Sequence, residues 1–404
     1  MTEILLLGAT GYTGRLISEY LSCHPDRLDH KLRLTLAGRS HSKLSDLFDS
    51  LPNKTNVSVL QISSLTDLSS ALDLPNTNLV INTIGPYFTH TPTLAHLCAK
   101  SSTHYLDLSG EPHHTFSLIH RHNTHDTALS TRSLIIPACG YDSIPSDLVA
   151  YLSAKALFEK GKEPAKSTTM HSVSGAVSGG TIATALSTFS IPPELRKMST
   201  TPFASSPVIG PKPHPKLRLV YDLTVPGLKP YTGSFSPMST PNRAVVQRSY
   251  GLLELDHLEN PDKENPKFHY GSKFTYDEFL QVPNRLVAFL YSSTIFTVMT
   301  CLLLFNPVSL PSILRHLSLT SPQFRKLVTF LLPAPGSGPQ KAQLQKGHFK
   351  ATNFTVAASS NPSDSTTTYA KSTFKGKGDP GYFLTSSTSL FSFHSPKLDT
   401  HCQL

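Results

Sequence analysis

Ile4-Leu5-Leu6-Leu7-Gly8-Ala9-Thr10-Gly11-Tyr12-Thr13-Gly14 is the stretch whose reading decides the fold. The apolar run Ile4 to Leu7 is long enough for a buried parallel strand, and it stops at a glycine. Beyond Gly14, the residues Leu16, Ile17, Tyr20 and Leu21 recur at helical spacing. Strand, glycine turn and helix in that order are the setting a dinucleotide fingerprint requires. Each glycine has a separate reason. Gly8 permits the tight turn, Gly11 lets backbone N–H groups approach a diphosphate, and Gly14 lets helix and strand pack closely. The helix start, with Thr10, Tyr12 and Thr13, then faces the anion with unsatisfied N–H groups and a partial positive charge.

Further strands follow. Lys31 to Ala37 alternates and ends at Gly38-Arg39-Ser40. An acidic residue at this place bonds the ribose 2′-OH of NAD; here Arg39 and Ser40 stand instead, with Lys43 one turn on. A guanidinium pairs with a 2′-phosphate that a carboxylate would repel, so NADP(H) is favoured over NAD(H); a merely solvated Arg39 is the alternative. Val57 to Ile62 reads as a third strand and Leu65 to Leu72 as a short helix. Asn78 to Tyr87 is a fourth strand with its exit turn, placing Asn82, Thr83 and Gly85-Pro86-Tyr87 beside ribose and nicotinamide. Thr91 to Ala99 reads as a helix, Tyr105 to Glu111 and Ser133 to Gly140 as strands, and Pro145 suits the first turn of another helix. Strands alternating with helices through residue 140 predict an α/β, doubly wound parallel sheet of Rossmann type over residues 1–150.

At 404 residues the chain exceeds one typical core, so a second domain is expected over 151–404. The net charge of +9 is dispersed, with no basic cluster interleaved with aromatics, and nucleic acid is not an expected partner. The five cysteines are far apart, form no Cys-x-x-Cys pair and suit a reducing compartment. His113-His114 with His120, His122 and His125 read as a surface helix, without the carboxylate or cysteine that would complete a metal set. A buried strand so near the start leaves no place for a cleavable signal peptide, so the expectation is an intracellular protein, not a secreted one.

Past Gly161 the character changes. Ser178-Gly179-Gly180-Thr181 is either a helix start facing a ligand or a plain loop, and residues 200–240 are rich in Pro and Ser. Pro241 to Leu255 and Gly347 to Thr385 read as strands of an α+β domain. Leu286 to Phe305 holds twenty residues without a charge, fifteen of them apolar or aromatic. That length reaches a membrane span, but five Ser/Thr dilute it, and Arg315, Arg325 and Lys326 punctuate the apolar segments that follow. Residues 286–332 are therefore expected to form a hydrophobic helical insertion that lies on a membrane or lipid-droplet surface. A true span and a buried or partner-covered helix are the alternatives.

GATGYTG at 8–14, AGRS at 37–40, NTIGPY at 82–87 and DLSGE at 107–111 are followed by CGYDSIPSD at 139–147, SGGT at 178–181, PGSGP at 335–339 and GDPGY at 378–382. In this order they resemble the saccharopine dehydrogenase-like oxidoreductases, which include bacterial trans-acting enoyl reductases and animal proteins found with lipid droplets. The resemblance implies a Rossmann domain, an α+β domain for substrate and dimerisation, and an insertion similar to 286–332. It makes a second copy of the chain a candidate partner. Past Gly-Asp-Pro-Gly-Tyr the family's chains run into a further helix and strand, which Phe391 to Leu404 does not resemble.

The reaction so implied delivers hydride to a β-carbon and a proton to the α-carbon, and the enolate between the steps needs a hydrogen-bond donor. Tyr87, Tyr105 and Tyr141 sit near predicted strand ends. Tyr141 and Asp142 are the candidate pair, because their turn should open towards the second domain; capping the helix at Pro145 is the competing role. Tyr151 and Lys155 match the Tyr-x-x-x-Lys spacing of short-chain dehydrogenases, but Ala138 and Cys139 occupy the region of the expected serine. Arg196, Arg218, Arg243, Arg248, Arg285, Arg315 and Arg325 are too scattered for a multi-carboxylate substrate. An acyl or polyketide-type lipid, free or on a carrier, suits the apolar insertion better. The rivals are a nucleotide-binding lipid-surface protein with little turnover and a reductase of another carbonyl or imine.

Overall fold

The computed structural model describes residues 2–25, 31–62, 77–141, 143–174, 188, 191–211, 218–262, 267–304, 346–359, 368–379, 385 and 401–403. The expected helix at 65–72, the Ser178-Gly179-Gly180-Thr181 turn, the Pro-Gly-Ser-Gly-Pro motif and residues 305–332 lie outside them.

The first half forms β1 (Thr2–Leu7), α1 (Tyr12–Ser22), β2 (Leu32–Gly38), α2 (His41–Ser50), β3 (Val57–Gln61), β4 (Thr77–Asn82), α3 (Tyr87–His90), α4 (Leu94–Lys100), β5 (His104–Asp107), α5 (Pro112–His120), α6 (Thr124–Thr131) and β6 (Ile135–Ile136). The strands make one six-stranded sheet in the order β3-β2-β1-β4-β5-β6, and each neighbouring pair is parallel. Leu5 stands opposite Thr35 on one side and Val80 on the other. The run Ile4 to Leu7 does not alternate because both faces of β1 are covered. Ile4 and Leu6 pack with Ile17 and Leu21 of α1 and Leu44 of α2, while Leu5 and Leu7 pack with Leu94, Ala95 and Cys98 of α4. The chain reverses direction across the sheet between β1 and β4, the switch point outside which such folds hold ligands. The strand expected over 133–140 shrinks to Ile135–Ile136, because Pro137 has no N–H to give and Ala138 turns to φ +60°.

The second half adds α7 (Ile144–Phe158), β7 (Pro164–Ser174), α8 (Pro193–Thr200), β8 (Tyr221–Leu223), β9 (Tyr231–Ser234), α9 (Ser239–Glu259), β10 (Thr275–Gln281), α10 (Arg285–Leu304), β11 (His348–Ala357), β12 (Tyr369–Lys377) and β13 (His401–Gln403). A mixed seven-stranded sheet runs β13-β12-β11-β7-β10-β9-β8, with β7 and β10 parallel and the other pairs antiparallel. Residue 150 falls inside α7, which lies on this second sheet. Ser153 of α7 meets Thr355 Oγ1 at 2.7 Å, and Ser372 Oγ donates to the Val149 carbonyl at 2.6 Å.

Two local readings are corrected. Pro241 to Leu255 is not strand but part of α9, a helix of 21 residues. Its buried positions Asn242, Val246, Tyr250 and Glu254 recur every four residues, and two of them are polar, so the helical stripe does not show in apolar residues alone. His113 and His114 are not on a surface helix face; α5 turns both inward, and both are buried.

Candidate functional site

Gly8 leaves β1 at φ +77°, and a Cβ there would stand 2.7 Å from Thr83 Oγ1, so only glycine fits the turn. The turn is tied down on both sides. The N–H groups of Gly8 and Ala9 donate to the Ala37 carbonyl at 3.0 and 3.1 Å, and Thr83 Oγ1 donates to the Leu7 carbonyl at 2.8 Å. A Cβ on Gly14 would come within 2.2 Å of the Gly8 carbonyl oxygen, the close helix–strand approach expected of the fingerprint's last glycine. A Cβ on Gly11 would meet only that same oxygen, at 3.1 Å, and otherwise open space. Gly11 is the N-cap of α1, and no side chain caps the helix. Gly11 gives its own N–H to the Gly8 carbonyl at 2.9 Å, so it supplies the room, and the first turn of α1 supplies the N–H donors that a diphosphate requires.

At the end of β2, Arg39 is exposed, and among the described residues no carboxylate pairs with it. Its carbonyl accepts from Gln61 Nε2 at 3.2 Å, while Ser40 caps α2 by accepting from the Lys43 N–H at 3.4 Å. At the end of β4, Asn82 is buried. Its amide donates to Thr91 Oγ1 at 2.9 Å and Tyr105 Oη at 3.1 Å and accepts from the Ile84 N–H at 3.0 Å, so it shapes the turn from beneath. Gly85 and Pro86 follow on the surface side, and Tyr87 returns to the interior.

Beneath that turn lies a buried cluster of two carboxylates and two histidines. Glu111 accepts from the N–H groups of Tyr87 and Phe88 at 2.8 and 3.0 Å, so its carboxylate caps the one-turn helix α3. His113 Nε2 is 3.3 Å from the same carboxylate. Burial alone would raise the pKa of Glu111, but His113 and the Phe88 and Tyr87 N–H groups outweigh it and hold the carboxyl below its ordinary value. Asp107 accepts from Tyr105 Oη, the Ser109 N–H and the Ala138 N–H, each at 2.9 Å, and His114 Nε2 lies 3.3 Å away. Burial first, then the charge of Asp107, push the Tyr87 and Tyr105 phenols far above their usual range, so neither gives up a proton readily.

Tyr141 stands where the two sheets meet. Its N–H donates to Thr385 Oγ1 at 3.0 Å, and its ring meets Phe349 of β11 edge-on at 4.8 Å. Asp142 lies outside the described residues. Deeper in the second half, Glu278 Oε2 accepts from Ser146 Oγ and Tyr276 Oη, each at 2.8 Å, and Oε1 accepts from Asn242 Nδ2 at 3.0 Å. His171 Nε2 lies 3.0 Å from Ser146 Oγ and 3.4 Å from Glu278 Oε2. A nucleophilic relay needs the two ring nitrogens to serve the two partners separately. Here one nitrogen faces both, so the group is a buried hydrogen-bond centre joining α7, α9, β7 and β10. Tyr151 packs on Phe268 at 5.1 Å, and the partly exposed Lys155 leans to Glu159 Oε1 at 3.8 Å, so that pair serves the surface of α7. Among the described residues no group of three or more His, Cys, Asp or Glu side chains could hold a metal ion.

Residues 4–132 match the family model of the saccharopine dehydrogenase NADP-binding domain. The chain is similar to a trans-acting enoyl reductase of Mycobacterium bovis, 30% identical over 372 residues, covering 88% of this chain and 81% of that one. A trans-acting enoyl reductase of Mycobacterium ulcerans is 28% identical over 373 residues, with the same coverages. The chain belongs to the saccharopine dehydrogenase-like oxidoreductases. Among solved structures, the apo saccharopine dehydrogenase (L-Glu forming) of Saccharomyces cerevisiae aligns at TM-score 0.43 and 14% identity, over 96% of this chain and 88% of that one.

In this oxidoreductase the glycine cradle and Arg39 stand together at the carboxyl ends of β1 and β2, inside the NADP-binding domain. The residues of the site that local sequence patterns did not bring out are Glu111 and Asp107. Glu111 and Asp107 lay within a quoted motif, Asp-Leu-Ser-Gly-Glu, but their partners are as far as 31 residues away. α10 is seated by Ala288 and Ser292, whose Oγ donates to the Leu219 carbonyl at 2.6 Å, and by the Phe296 ring on Phe235. Among the described residues no helix is long and apolar enough to cross a membrane.

Proposed function

We propose that this protein is an NADP(H)-preferring reductase of the enoyl type, acting on an acyl or polyketide-type lipid presented free or on a carrier. The observation that carries the coenzyme preference is the exposed Arg39, without a carboxylate partner among the described residues, at the end of β2. The enoyl reaction rests on the names of the relatives and on the apolar character of α10.

Reduced nicotinamide, when bound, is a source of hydride. The chain's own residues do the rest. The first-turn N–H groups of α1 receive the diphosphate, Arg39 and Ser40 hold the 2′-phosphate, and the turn from Thr83 to Tyr87, fixed by Asn82 and Glu111, carries the nicotinamide edge. Tyr141, between the two sheets, donates a hydrogen bond to the developing enolate oxygen, with Asp142 beside it in sequence. Tyr141 is favoured over Tyr105 because the Tyr105 phenol is spent on Asp107 and Asn82.

Coenzyme oxidation with α,β-unsaturated acyl thioesters, on coenzyme A and on a carrier protein, tests the reading. Turnover with NADPH is expected. Binding without turnover across the panel would favour the nucleotide-binding scaffold, and turnover only with carbonyls or imines would favour the other reductase class.

A lipid surface is the second part of the proposal. What supports it is the face of α10 opposite Ala288 and Ser292, where Leu286, Phe289 and Leu290 are exposed by about half or more (67%, 48% and 55%). Deleting 286–332 is expected to release the protein into the soluble fraction; unchanged membrane sedimentation would reject the attachment.

A further inference from the structure

Arg15 sits in the first turn of α1, at the positive end of the helix dipole. No acidic residue in that turn offsets it, and among the described residues no carboxylate pairs with it. A cation there is unfavourable unless an anion arrives from outside. The side chain is exposed, yet it does not run out into solvent. Its Nε donates to the Thr10 carbonyl at 3.0 Å, so the guanidinium lies back along the helix against the glycine turn, leaving both Nη groups for another partner.

Thr10 gives the direction. Its Oγ1 is 3.5 Å from the place a Cβ on Gly38 would take, so the turn carrying Arg15 rests over the end of β2 that continues into Arg39. Two guanidinium-bearing residues thus flank the Thr10–Gly38 contact, one from α1 and one from β2. We propose that Arg15 is a second specificity-determining cation for the adenosine 2′-phosphate, sharing that group with Arg39. The assignment rests on the NADP(H) preference proposed above and adds to it a residue from the glycine loop itself. Arg15 offers the phosphate a planar fork pre-oriented by the Thr10 carbonyl, whereas Arg39 reaches it from an unsupported position.

Calorimetric titration of the full chain with NADPH, NADH and adenosine 2′,5′-bisphosphate tests this, using the wild type, Arg15→Ala, Arg15→Lys, Arg39→Ala and the double alanine variant. The wild type binds NADPH more tightly than NADH. Arg15→Ala weakens NADPH and the bisphosphate by about tenfold or more, as losing a charged hydrogen-bond partner does, and leaves NADH within about twofold. Arg15→Lys falls between, and the double variant no longer distinguishes the two coenzymes. If the wild type itself does not distinguish them, the NADP(H) preference fails and this assignment with it. If the wild type does but Arg15→Ala weakens both coenzymes equally, the guanidinium serves the diphosphate and the assignment is overturned while the preference stands. No change on any titrant in Arg15→Ala or Arg15→Lys overturns it as well. Thermal unfolding of each variant separates these outcomes from loss of fold, to which the exposed Arg15 contributes little.

Discussion

Removing the Glu111 carboxylate tests how the β4 exit turn is held. In Glu111→Ala the N–H groups of Tyr87 and Phe88 lose acceptors at 2.8 and 3.0 Å, and His113 loses the neighbour at 3.3 Å. A buried donor left without an acceptor costs about 1–3 kcal/mol. Tyr87 is buried and Phe88 only half-buried, so water relieves part of the second loss. The expected destabilisation is therefore about 3–4 kcal/mol. Glu111→Gln keeps one acceptor but turns an NH2 group towards a backbone donor, for about half that loss. Urea denaturation at neutral pH reads the differences from the midpoint and slope. The sign with pH follows from the lowered carboxyl pKa. Its contribution is fully present above the ordinary value of 4.5 and is lost as pH falls through the lower folded value, whereas Glu111→Gln shows no such loss. A change below about 1 kcal/mol for Glu111→Ala would show that the carboxylate is incidental to the turn.

Other outcomes follow from single distances. Gly14→Ala, whose Cβ would stand 2.2 Å from the Gly8 carbonyl oxygen, is expected to abolish coenzyme binding in calorimetry, and near-normal affinity would contradict the cradle. Tyr141→Phe should lower turnover by about a hundredfold with coenzyme affinity unchanged; equal loss in both would mark it as structural. Burial raises the Asp147 carboxyl to about 6, with Ser249 Oγ donating at 2.8 Å and Oδ1 sealed from solvent without a hydrogen-bond partner among the described residues. Its ionisation therefore opposes folding at neutral pH, by up to about 3 kcal/mol, and the penalty is relieved as pH falls through 6 towards its unfolded value. Asp147→Asn should be the more stable protein at about pH 7.5 and lose that advantage near the unfolded carboxyl value of about 4; a constant difference would refute the buried charge. Phe289→Glu with Leu290→Glu should end co-sedimentation with lipid vesicles, and undiminished sedimentation would place any lipid contact elsewhere.

The opening fingerprint was legible because its physics is local. A strand covered on both faces shows as an unbroken apolar run, and glycines stand where a Cβ would collide with a neighbouring carbonyl or threonine. The parallel sheet, its alternation with helices and the place of Arg39 all followed from patterns within about ten residues. α9 escaped because its buried stripe includes Asn242 and Glu254, whose partners Glu278 and Gly271 lie far along the chain. The same limit hid the orientation of His113 and His114, which depends on carboxylates at the end of β5.

By itself, then, the amino-acid order determined a nucleotide-binding α/β half, an α+β remainder and an apolar helical segment from Leu286 on. Tertiary structure alone decided which polar side chains are committed inward. Asn82, expected beside the ribose and nicotinamide, Tyr105, a candidate donor near a strand end, and Glu278 all commit polar groups to hydrogen bonds inside the protein. The reason is that a hydrogen bond between residues 24 or 132 positions apart leaves no trace in local spacing, yet it settles whether a side chain faces a ligand or the core.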